Sequence, residues 1–406
     1  MDLEAIDSSD IHAEPSASSA SSSPSGSLLG VLDKVDEWIS RFVLTTTAED
    51  IHLMTLWAAH TYVVEQTYTT PRLQIDSVMP ESGKTTALEH LQHLVRRPLS
   101  ASTISSEALL PRVLERGIRT ILIDEADRSL DPKNPIMAGV MATINTGYKR
   151  GGSRPVLVKD SEGNWTDREM STFAPVALAG NNPSLPDDTR TRCIRVLLMP
   201  DFEGLVESSD WEDIEEDADH LRIDLEMAME AARESVGNAR PTLPEDCKGR
   251  MREKWRPLAR VAQAAGGRWP GIINTLIHRD MEERKMERAE GLQNLPLRVH
   301  LIRDIAQVWQ AGDQFMPSTE LVDLLAARFP TRWGLQSTKG LTVQGMGRML
   351  MQGYKISSDR EPSGARRRGY SHLQFTESWR RFQVEPPHIK PDGPDEQAQL
   401  DETRNR

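Results

Sequence analysis

A short run beginning at residue 77 combines a lysine, hydroxyl side chains and a glycine in an order suited to phosphate binding. The run SVMPESGKTT at 77–86 matches the second half of the phosphate-binding pattern G-x-x-x-x-G-K-[ST]. Backbone N–H groups around Gly83, the Lys84 ammonium and the Thr85 hydroxyl would contact phosphate oxygens and Mg²⁺. The pattern predicts a site for ATP and Mg²⁺. The predicted nucleotide-binding residues are Ser82, Gly83, Lys84, Thr85 and Thr86.

The first half of this loop departs from the pattern, which expects glycine where Val78 stands. That part of the loop must therefore turn without a residue that adopts positive φ freely. The surrounding pattern favours the site all the same. A strand-like run at 72–77 precedes the loop and a helical pattern at 85–94 follows it, as a P-loop requires.

Two adjacent carboxylates follow a second apolar run, TILI at 120–123. This arrangement is typical of the Walker B strand of ATPases. Asp124 would hold Mg²⁺ together with Thr85, and Glu125 would polarise the water that attacks the γ-phosphate. The alternative is a buried strand before a solvated acidic turn, which the P-loop at suitable spacing disfavours.

Two further polar residues are candidates for catalysis. Asn181 follows a third apolar strand at 176–179, where ATPases with an additional strand place a residue that orients water, although Asn and Gly also favour plain turns. Arg192 precedes a fourth strand at 194–199 and would stabilise transition-state charge in a neighbouring subunit, which requires a homo-oligomer such as a ring. A surface ion pair is the alternative. The predicted catalytic residues are Glu125, Asn181 and Arg192.

Basic residues concentrate in two places. An insertion before Asn181 reads as a β-hairpin with an Asp, Gly and Asn turn at 160–164, and a Gly and Arg loop lies at 360–369. The helical patterns at 297–310, 318–328 and 342–351 would make that loop the wing of a winged helix, with the third helix in the major groove. A solvated hairpin and a protein-interaction module are the alternatives. The predicted DNA-binding residues are Lys149, Arg150, Arg154, Lys159, Arg360, Arg366, Arg367 and Arg368.

Composition indicates a soluble protein without membrane segments. Hydrophobic residues make 38% and charged residues 27% of the chain, and no apolar run reaches the length of about 18 residues that a spanning helix needs. The Ser-rich N-terminus lacks the features of a secretory signal, so we expect a cytoplasmic location. Cys193 and Cys247 lie far apart without metal-ligand spacing and are expected to be buried thiols.

The formal net charge of −12 looks unfavourable for a nucleic-acid-binding protein. Its distribution changes this assessment. The acidic segment, which we define as residues 201–219, holds ten acidic residues and no Lys or Arg. Because this segment accounts for most of the excess, the remainder of the chain is nearly balanced, and the net charge does not argue against DNA as a partner.

Strands that alternate with helices predict an α/β fold with a parallel sheet. We expect a P-loop NTPase core of AAA-like type, a helical lid and a C-terminal winged-helix-like domain. The predicted divisions are a disordered tail at 1–26, a helical lead-in at 27–66, the ATPase core at 67–200, the acidic segment and helical lid at 201–296, the winged-helix-like domain at 297–384 and a disordered tail at 385–406.

Several short phrases, in order, resemble one family. They are LWAAHT at 56–61, TPRL at 70–73, SGKT at 82–85, IDEAD at 123–127, FAPVALAG at 173–180, WRPL at 255–258, AGGRWP at 265–270 and RGY at 368–370. They are similar to an uncharacterised family of actinobacterial and phage P-loop proteins, described as primase-associated helicases or DNA repair ATPases. The resemblance implies that Lys84 and Thr85 bind phosphate and Mg²⁺, that Asp124 and Glu125 form the Walker B pair, and that Arg192 is the arginine before the next strand.

The residues and the resemblance together predict an ATP-hydrolysing protein that acts on DNA, helicase-like or remodelling, in phage or mobile-element replication. Two alternatives remain at this point. One is an ATP-dependent DNA-binding switch, such as an initiator or regulator, without unwinding activity. The other is a protein-remodelling ATPase that uses the acidic segment as a docking surface.

Overall fold

The computed structural model describes residues 26–382 and 384, apart from short gaps at 102–103, 105, 131–134, 182, 184, 290–295, 311, 337–339 and 363–366. The tails predicted at 1–26 and 385–406 therefore lie outside the described residues, except for Gly26. The chain forms two compact units, which divide between Lys285 and Met286.

The first unit alternates helices and strands along most of its length. Its helices are α1 (Leu28–Phe42), α2 (Ala48–His60), a 3-10 helix (Thr61–Gln66), α3 (Lys84–Leu94), α4 (Leu109–Leu114), α5 (Ala126–Ser129), α6 (Pro135–Thr146), α7 (Asp187–Arg190), α8 (Trp211–Ala231), α9 (Arg233–Asn238), α10 (Gly249–Ala265) and most of α11 (Trp269–Ala289), which continues past the division. Its strands are β1 (Arg72–Ser77), β2 (Pro98–Ala101), β3 (Thr120–Ile123), β4 (Ser153–Lys159), β5 (Trp165–Ser171), β6 (Val176–Gly180) and β7 (Cys193–Leu198).

Within the described residues, five of these strands form one parallel sheet in the order β2-β3-β6-β1-β7. The prediction of an α/β fold with a parallel sheet is confirmed. The strand β6 lies between β1 and β3, so the strand that leads into the P-loop and the strand that ends in Asp124 are not neighbours. β4 and β5 pair antiparallel as a separate hairpin, in line with the predicted insertion.

Both faces of the sheet are covered by helices. This cover is needed because side chains point alternately to the two faces, and these strands carry apolar residues on both. On one face, Leu73 and Ile75 of β1 join a core built with α1, α2, α3, α8, α10 and α11. On the other face, Ile121 and Ile123 of β3 pack with α4 and α6. The helices before the sheet and those after it therefore share one hydrophobic core.

Two residue predictions concern this core. Cys193 and Cys247 are buried free thiols, as expected. His60, at the end of α2, is fully buried and its Nε2 lies 3.2 Å from Thr70 Oγ1. Burial lowers the pKa of His60 to about 3, so the ring is neutral at ordinary pH.

The second unit contains helices α12 (Leu297–Val308), α13 (Ser318–Arg328), α14 (Val343–Tyr354) and α15 (Leu373–Arg381). Its strands β8 (Phe315–Pro317), β9 (Asp359–Arg360) and β10 (Arg368–Ser371) form an antiparallel sheet in the order β8-β10-β9. These helices and strands enclose their own core, in which Trp309, Phe375 and Trp379 pack together. The three predicted helices are present, and α15 and β8 are additional.

Across the described parts of the chain, no helix combines the length and the apolar character needed to cross a bilayer.

Candidate active site

The carboxyl ends of parallel strands lie along one edge of a sheet, which brings residues distant in sequence together. At this edge β1 ends in Ser77, β3 is followed by Asp124 and β6 by Asn181. Asp76 lies opposite Gly180, and Ile123 lies opposite Leu178 in the strand register. Because β6 lies between the other two strands, the predicted catalytic asparagine is placed between the predicted phosphate loop and the predicted Mg²⁺ residue.

The loop between β1 and α3 reverses the chain and ends in a left-handed residue. Gly83 has φ of +78° and precedes the first turn of α3. Glu81 also adopts positive φ, at 60°, whereas Val78 is not among the described non-glycine residues with positive φ. The glycine that the general pattern expects at 78 is therefore not required here, since the left-handed positions of the loop are 81 and 83.

The first turn of α3 directs unpaired N–H groups and two functional side chains at the loop. The first four N–H groups of any α-helix have no partner within the helix, which makes this end suited to an anion. Lys84 Nζ donates to Ser77 Oγ at 2.5 Å and to the Met79 carbonyl at 3.3 Å, which holds the ammonium over the loop. Burial lowers the pKa of Lys84, an effect opposed by the carboxylates of Asp127, Asp76 and Asp124.

Thr85 and Asp124 connect the P-loop helix to the acidic strand. Thr85 Oγ1 donates to Asp124 Oδ2 at 3.1 Å, and Asp124 Oδ1 accepts the Glu125 N–H at 2.8 Å. A hydroxyl and a carboxylate oxygen this close are hard ligands of the kind that Mg²⁺ prefers. No group of three or more His, Cys, Asp or Glu side chains suited to a metal occurs in the described ranges. An ion at this position would therefore need phosphate or water oxygens as its remaining ligands.

Asn181 lies within the same hydrogen-bond network. Its Oδ1 accepts from Ser77 Oγ at 3.2 Å, and its N–H donates to Asp127 Oδ1 at 3.1 Å. A Cβ atom at Gly180 would lie only 2.7 Å from Asp127 Oδ1, so glycine permits the start of α5 to approach the end of β6. The structure thus brings the predicted Lys84, Thr85, Asp124 and Asn181 together.

Glu125 adopts the left-handed conformation, with φ of 48° and ψ of 44°. For a residue other than glycine this conformation costs about 1 kcal/mol or more, and such residues cluster at functional sites. The Glu125 carboxylate is exposed and forms an ion pair with Arg128 at 3.1 Å. The side chain is therefore at the edge of the site with solvent access, one residue after Asp124.

Arg192, which was predicted to act in a neighbouring subunit, forms its described contacts within its own chain. Its side chain is only 13% exposed and forms an ion pair with Asp188. Its guanidinium also donates to the Asp188 carbonyl at 2.5 Å and lies 5.6 Å from the centre of the Tyr148 ring. The guanidinium is held within its own chain because α7 supplies both a carboxylate and a carbonyl beside it.

Three residues of this site were not predicted, namely Ser77, Asp76 and Arg195. Asp76 Oδ1 accepts the Ser77 N–H at 2.8 Å, and Asp76 Oδ2 accepts from Arg195 Nε at 3.0 Å. Arg195 therefore reaches Lys84 through two intervening residues. The signal was weak in the sequence, because an alternating Arg in β7 reads as an ordinary edge-strand residue.

Comparison with known proteins finds one family model, which matches the chain after this site. Residues 203–382 match the sequence model of a family described as "Protein of unknown function (DUF3631)". A protein of Saccharopolyspora erythraea, described as an "Uncharacterized 28.9 kDa protein in xis 5'region", is 27% identical over 180 residues. That match covers 44% of this chain and 65% of the relative, so the chain spans somewhat less than two thirds of it. Both findings fit an uncharacterised family and neither assigns an ATPase activity.

Solved structures with detectable similarity are distant. The apo structure of the NrS-1 C-terminal region is 12% identical with a TM-score of 0.39, covering 86% of this chain and 75% of that chain. A full-length MCM homolog from Methanopyrus kandleri is 12% identical with a TM-score of 0.37, covering 66% of this chain and 62% of that chain. A RuvB variant from Thermotoga maritima is 14% identical with a TM-score of 0.26, covering 86% of this chain and 98% of that chain. At these values the similarities assign no activity.

The hairpin formed by β4 and β5 places Lys159, a predicted DNA-binding residue, and Trp165 at its tip. Lys159 and Trp165 are paired across the strands, and Lys159 Nζ lies 5.4 Å from the centre of the exposed Trp165 ring. A surface cavity of about 610 Å³ alongside β4 is lined by Leu157, Trp165 and Arg112 among others. An exposed aromatic beside a cation is suited to stacking on a base.

The other basic residues near the hairpin are mostly neutralised. Arg154 forms an ion pair with Glu107 and donates to the Gly139 carbonyl at 2.8 Å. Lys149 Nζ lies 2.9 Å from Glu253 Oε1. Arg154 and Lys149, both predicted to bind DNA, are therefore paired with carboxylates while their side chains stay 27% and 40% exposed. Arg150 differs, because its described partners are backbone carbonyls, which leave its charge unneutralised.

In the second unit, the predicted basic loop is described only in part. Arg366 lies outside the described residues. Arg367 forms two hydrogen bonds of 2.8 Å with Glu361, which raise its pKa. Arg368 donates to the Ser358 carbonyl at 2.9 Å, and the exposed Arg360 of β9 has no described carboxylate within ion-pair distance. Thus Arg360 and Arg368 carry positive charge on this hairpin without a described ion pair.

Proposed function

We propose that this protein hydrolyses ATP and acts on DNA. The observation that carries the proposal is the network at the carboxyl edge of the sheet, in which Lys84, Ser77 and Asn181 form one hydrogen-bonded chain and Thr85 contacts Asp124. A GKT sequence that occurred by chance would not be expected to lie beside both a carboxylate 39 positions later and an asparagine from a third strand. Phosphate, metal and water ligands in one place suit phosphoryl transfer.

The individual residues would divide the work as follows. The N–H groups of 83–86 at the start of α3 and the Lys84 ammonium would bind the β- and γ-phosphate oxygens, exchanging contacts within the loop for contacts with substrate. Glu125 would accept a proton from the attacking water, and Asn181 would orient that water through its amide group. Mg²⁺, held by Thr85 and Asp124, supplies positive charge to the phosphoryl oxygens when bound.

DNA as the partner is supported by exposed cations on separate elements. The tip of the β4–β5 hairpin offers Lys159 and Trp165, and the β9–β10 hairpin offers Arg360 and Arg368. We interpret the second unit as winged-helix-like, with α14 in the major groove and the β9–β10 hairpin as its wing. The helices of the acidic segment and those after it would act as the lid of an AAA-like core. A homo-oligomer is part of the proposal, and Arg192 would have to exchange its ion pair with Asp188 for a phosphate in the neighbouring subunit.

The setting we propose is phage or mobile-element replication, by helicase-like or remodelling activity. The description of the Saccharopolyspora relative, which names the xis 5′ region, supports this setting. The DNA-binding switch without unwinding activity differs only in lacking strand displacement. A strand-displacement assay with a forked duplex therefore separates these two functions.

The decisive experiment is ATP hydrolysis by the purified protein with and without single-stranded and duplex DNA. Lys84→Ala should abolish turnover, and Glu125→Gln should reduce it by at least about 100-fold while ATP binding persists. Lys34→Ala is the matched control, because Lys34 forms an exposed ion pair with Asp224 on helices outside the site. Unchanged turnover in Lys84→Ala with an intact fold would refute the assignment.

One observation favours the protein-remodelling alternative. The acidic segment exposes Phe202 (81%) and Leu205 (66%), and the Asp201 carboxylate holds this turn by accepting the N–H groups of Leu205 and Val206. Exposed apolar side chains among carboxylates suit a basic protein partner. ATP turnover that is indifferent to DNA but stimulated by such a partner would favour this function over the DNA-directed one.

A further inference from the structure

Four arginines from separate stretches of the first unit converge on one surface, which we name the arginine cluster: Arg150, Arg240, Arg256 and Arg260. Arg150 follows α6, Arg240 follows α9, and the other two lie one turn apart on α10. Arg260 shows the crowding most directly. Its pKa is lowered first by burial and then by the positive charges of Arg240, Arg256 and Arg150.

Part of this arrangement has a structural explanation, since arginines commonly bind the free carbonyls at helix ends. Arg260 donates to the carbonyls of Gln66 at 2.8 Å and Ala239 at 3.1 Å. Arg240 shares the Ala239 carbonyl at 2.9 Å, and Arg150 donates to the Thr67 carbonyl at 2.8 Å. These acceptors close the 3-10 helix and α9, and they carry no formal charge.

Capping does not account for the accumulation of charge. Arg256 is exposed and makes neither an ion pair nor a side-chain hydrogen bond with any described residue. Two carboxylates on segments that adjoin the cluster form ion pairs with other cations. Glu65 pairs with Arg96 at 3.0 Å, and Glu253 pairs with Lys149 at 2.9 Å.

Within the described chain, therefore, no carboxylate forms an ion pair with a member of the arginine cluster. This is unusual in a chain whose net charge is −12, where acidic residues are in excess. Like charges held together disfavour the folded state unless an anion is present. The exposed members of the cluster offer planar donors that match phosphate oxygens.

The location separates this cluster from the proposed ATP site. The Arg150 N–H donates to the Tyr68 carbonyl at 2.8 Å. The backbone of Lys149 forms an antiparallel β-bridge with Thr69, shortly before β1 begins. The P-loop leaves β1 at its other end. Six strand residues span about 20 Å, so the two sites lie on opposite edges of the sheet.

We propose that the arginine cluster binds the phosphodiester backbone of DNA, at the edge of the sheet opposite the P-loop. This inference rests on the proposed DNA-directed function and adds a contact surface on the ATPase unit itself. Phosphate contacts of this kind fix the position of the nucleic acid without reading its sequence. The site would therefore hold DNA on the unit that hydrolyses ATP, independently of the hairpin of the second unit.

The test is DNA binding by the full chain, measured by fluorescence anisotropy with a labelled oligonucleotide of about 30 nucleotides, single-stranded and duplex. Arg240→Gln/Arg256→Gln spares Arg260, whose three carbonyl contacts support the fold. We expect the slope of log K against log salt to fall by about two between 50 and 200 mM salt, with affinity lost at least tenfold. Arg256→Gln alone should lower the slope by about one.

The matched control is Lys34→Gln/Arg222→Gln, which removes the same charge from two cations already paired with carboxylates on α8. It should bind DNA like the parent. Equal DNA affinity of the cluster variant and this control would overturn the inference that the arginine cluster binds DNA, while leaving the proposed function intact. If the parent protein bound neither single-stranded nor duplex DNA, both this inference and the proposed DNA-directed function would be overturned.

Discussion

The pair formed by Arg195 and Asp76 predicts that a substitution at Arg195 weakens nucleotide binding through the residues that connect it to Lys84. The Asp76 carboxylate is 1% exposed and accepts from Arg195 Nε at 3.0 Å and Nη2 at 2.7 Å, while the arginine is 54% exposed. Breaking a fully buried pair costs about 3 to 5 kcal/mol, and solvent around the arginine reduces this. We therefore expect Arg195→Gln to lower the free energy of unfolding by about 1 to 3 kcal/mol.

The same substitution should weaken ATP binding. Asp76 fixes the Ser77 N–H, and Ser77 Oγ accepts from Lys84, so a displaced carboxylate loosens the contacts that hold the lysine. We expect KM for ATP to rise about tenfold, which corresponds to about 1.4 kcal/mol, with kcat changed less than about threefold. The effect should fall on KM because Arg195 acts through Asp76 and Ser77 on the loop proposed to bind phosphate.

The measurements are urea unfolding and steady-state ATP hydrolysis on the same preparations. Arg190→Gln is the matched control, since Arg190 is similarly exposed at 52% but pairs with Asp187, which is itself 62% exposed. Such exposed pairs contribute at most about 1 kcal/mol. Arg195→Lys should recover part of the affinity, because lysine restores the charge without the two parallel hydrogen bonds. A KM for Arg195→Gln equal to that of the Arg190→Gln control would refute the reasoning.

Two other predictions concern stability at acid pH and the unusual loop residue. His60 has a folded pKa of about 3 against about 6.5 unfolded, so its contribution to stability is complete above about pH 6.5 and is lost as the pH falls toward 3. At pH 4 the protonation of the unfolded histidine should lower the free energy of unfolding by about 3 kcal/mol. In His60→Gln, the free energy of unfolding measured in urea should depend on pH less steeply, by up to one proton. Val78→Gly should leave KM for ATP within about twofold and lower stability by about 0.5 to 1 kcal/mol, because residue 78 does not require positive φ. A large gain in ATP affinity would contradict this account of the loop.

Local sequence pattern was sufficient for most elements of the sheet and insufficient for their order. The apolar runs that became β1, β3, β6 and β7 were predicted, while β2 was missed because it is four residues long, begins with Pro98 and is only half-buried. The order β2-β3-β6-β1-β7 depends on contacts between distant segments, which no local pattern contains. The helix α11 was missed because its apolar residues stop after the first turns and its second half is charged.

The same distinction between local pattern and distant contacts applies to the site residues. The contact between Thr85 and Asp124 was predictable, because the spacing of the two motifs implies that these residues meet at one edge of the sheet. The pairing of Arg154 with Glu107 and of Lys149 with Glu253 was not, since these partners are 47 and 104 positions apart. Whether a cation is available to DNA depends on such partners more than on its position in a basic run.

The distribution of charge within the first unit explains how a chain of net charge −12 could still bind a polyanion. The acidic segment ends at Asp219, and the rest of α8 extends a further 12 residues, or about 18 Å, before α9 leads to Arg240. The later carboxylates Asp224 and Glu230 are paired with Lys34 and Arg233. At physiological salt, charges interact over about 8 Å, so the acidic segment is screened from the arginine cluster along α8. Attraction to DNA would then act only over short distances. This favours a modest association rate constant and an affinity that depends mainly on the dissociation rate constant.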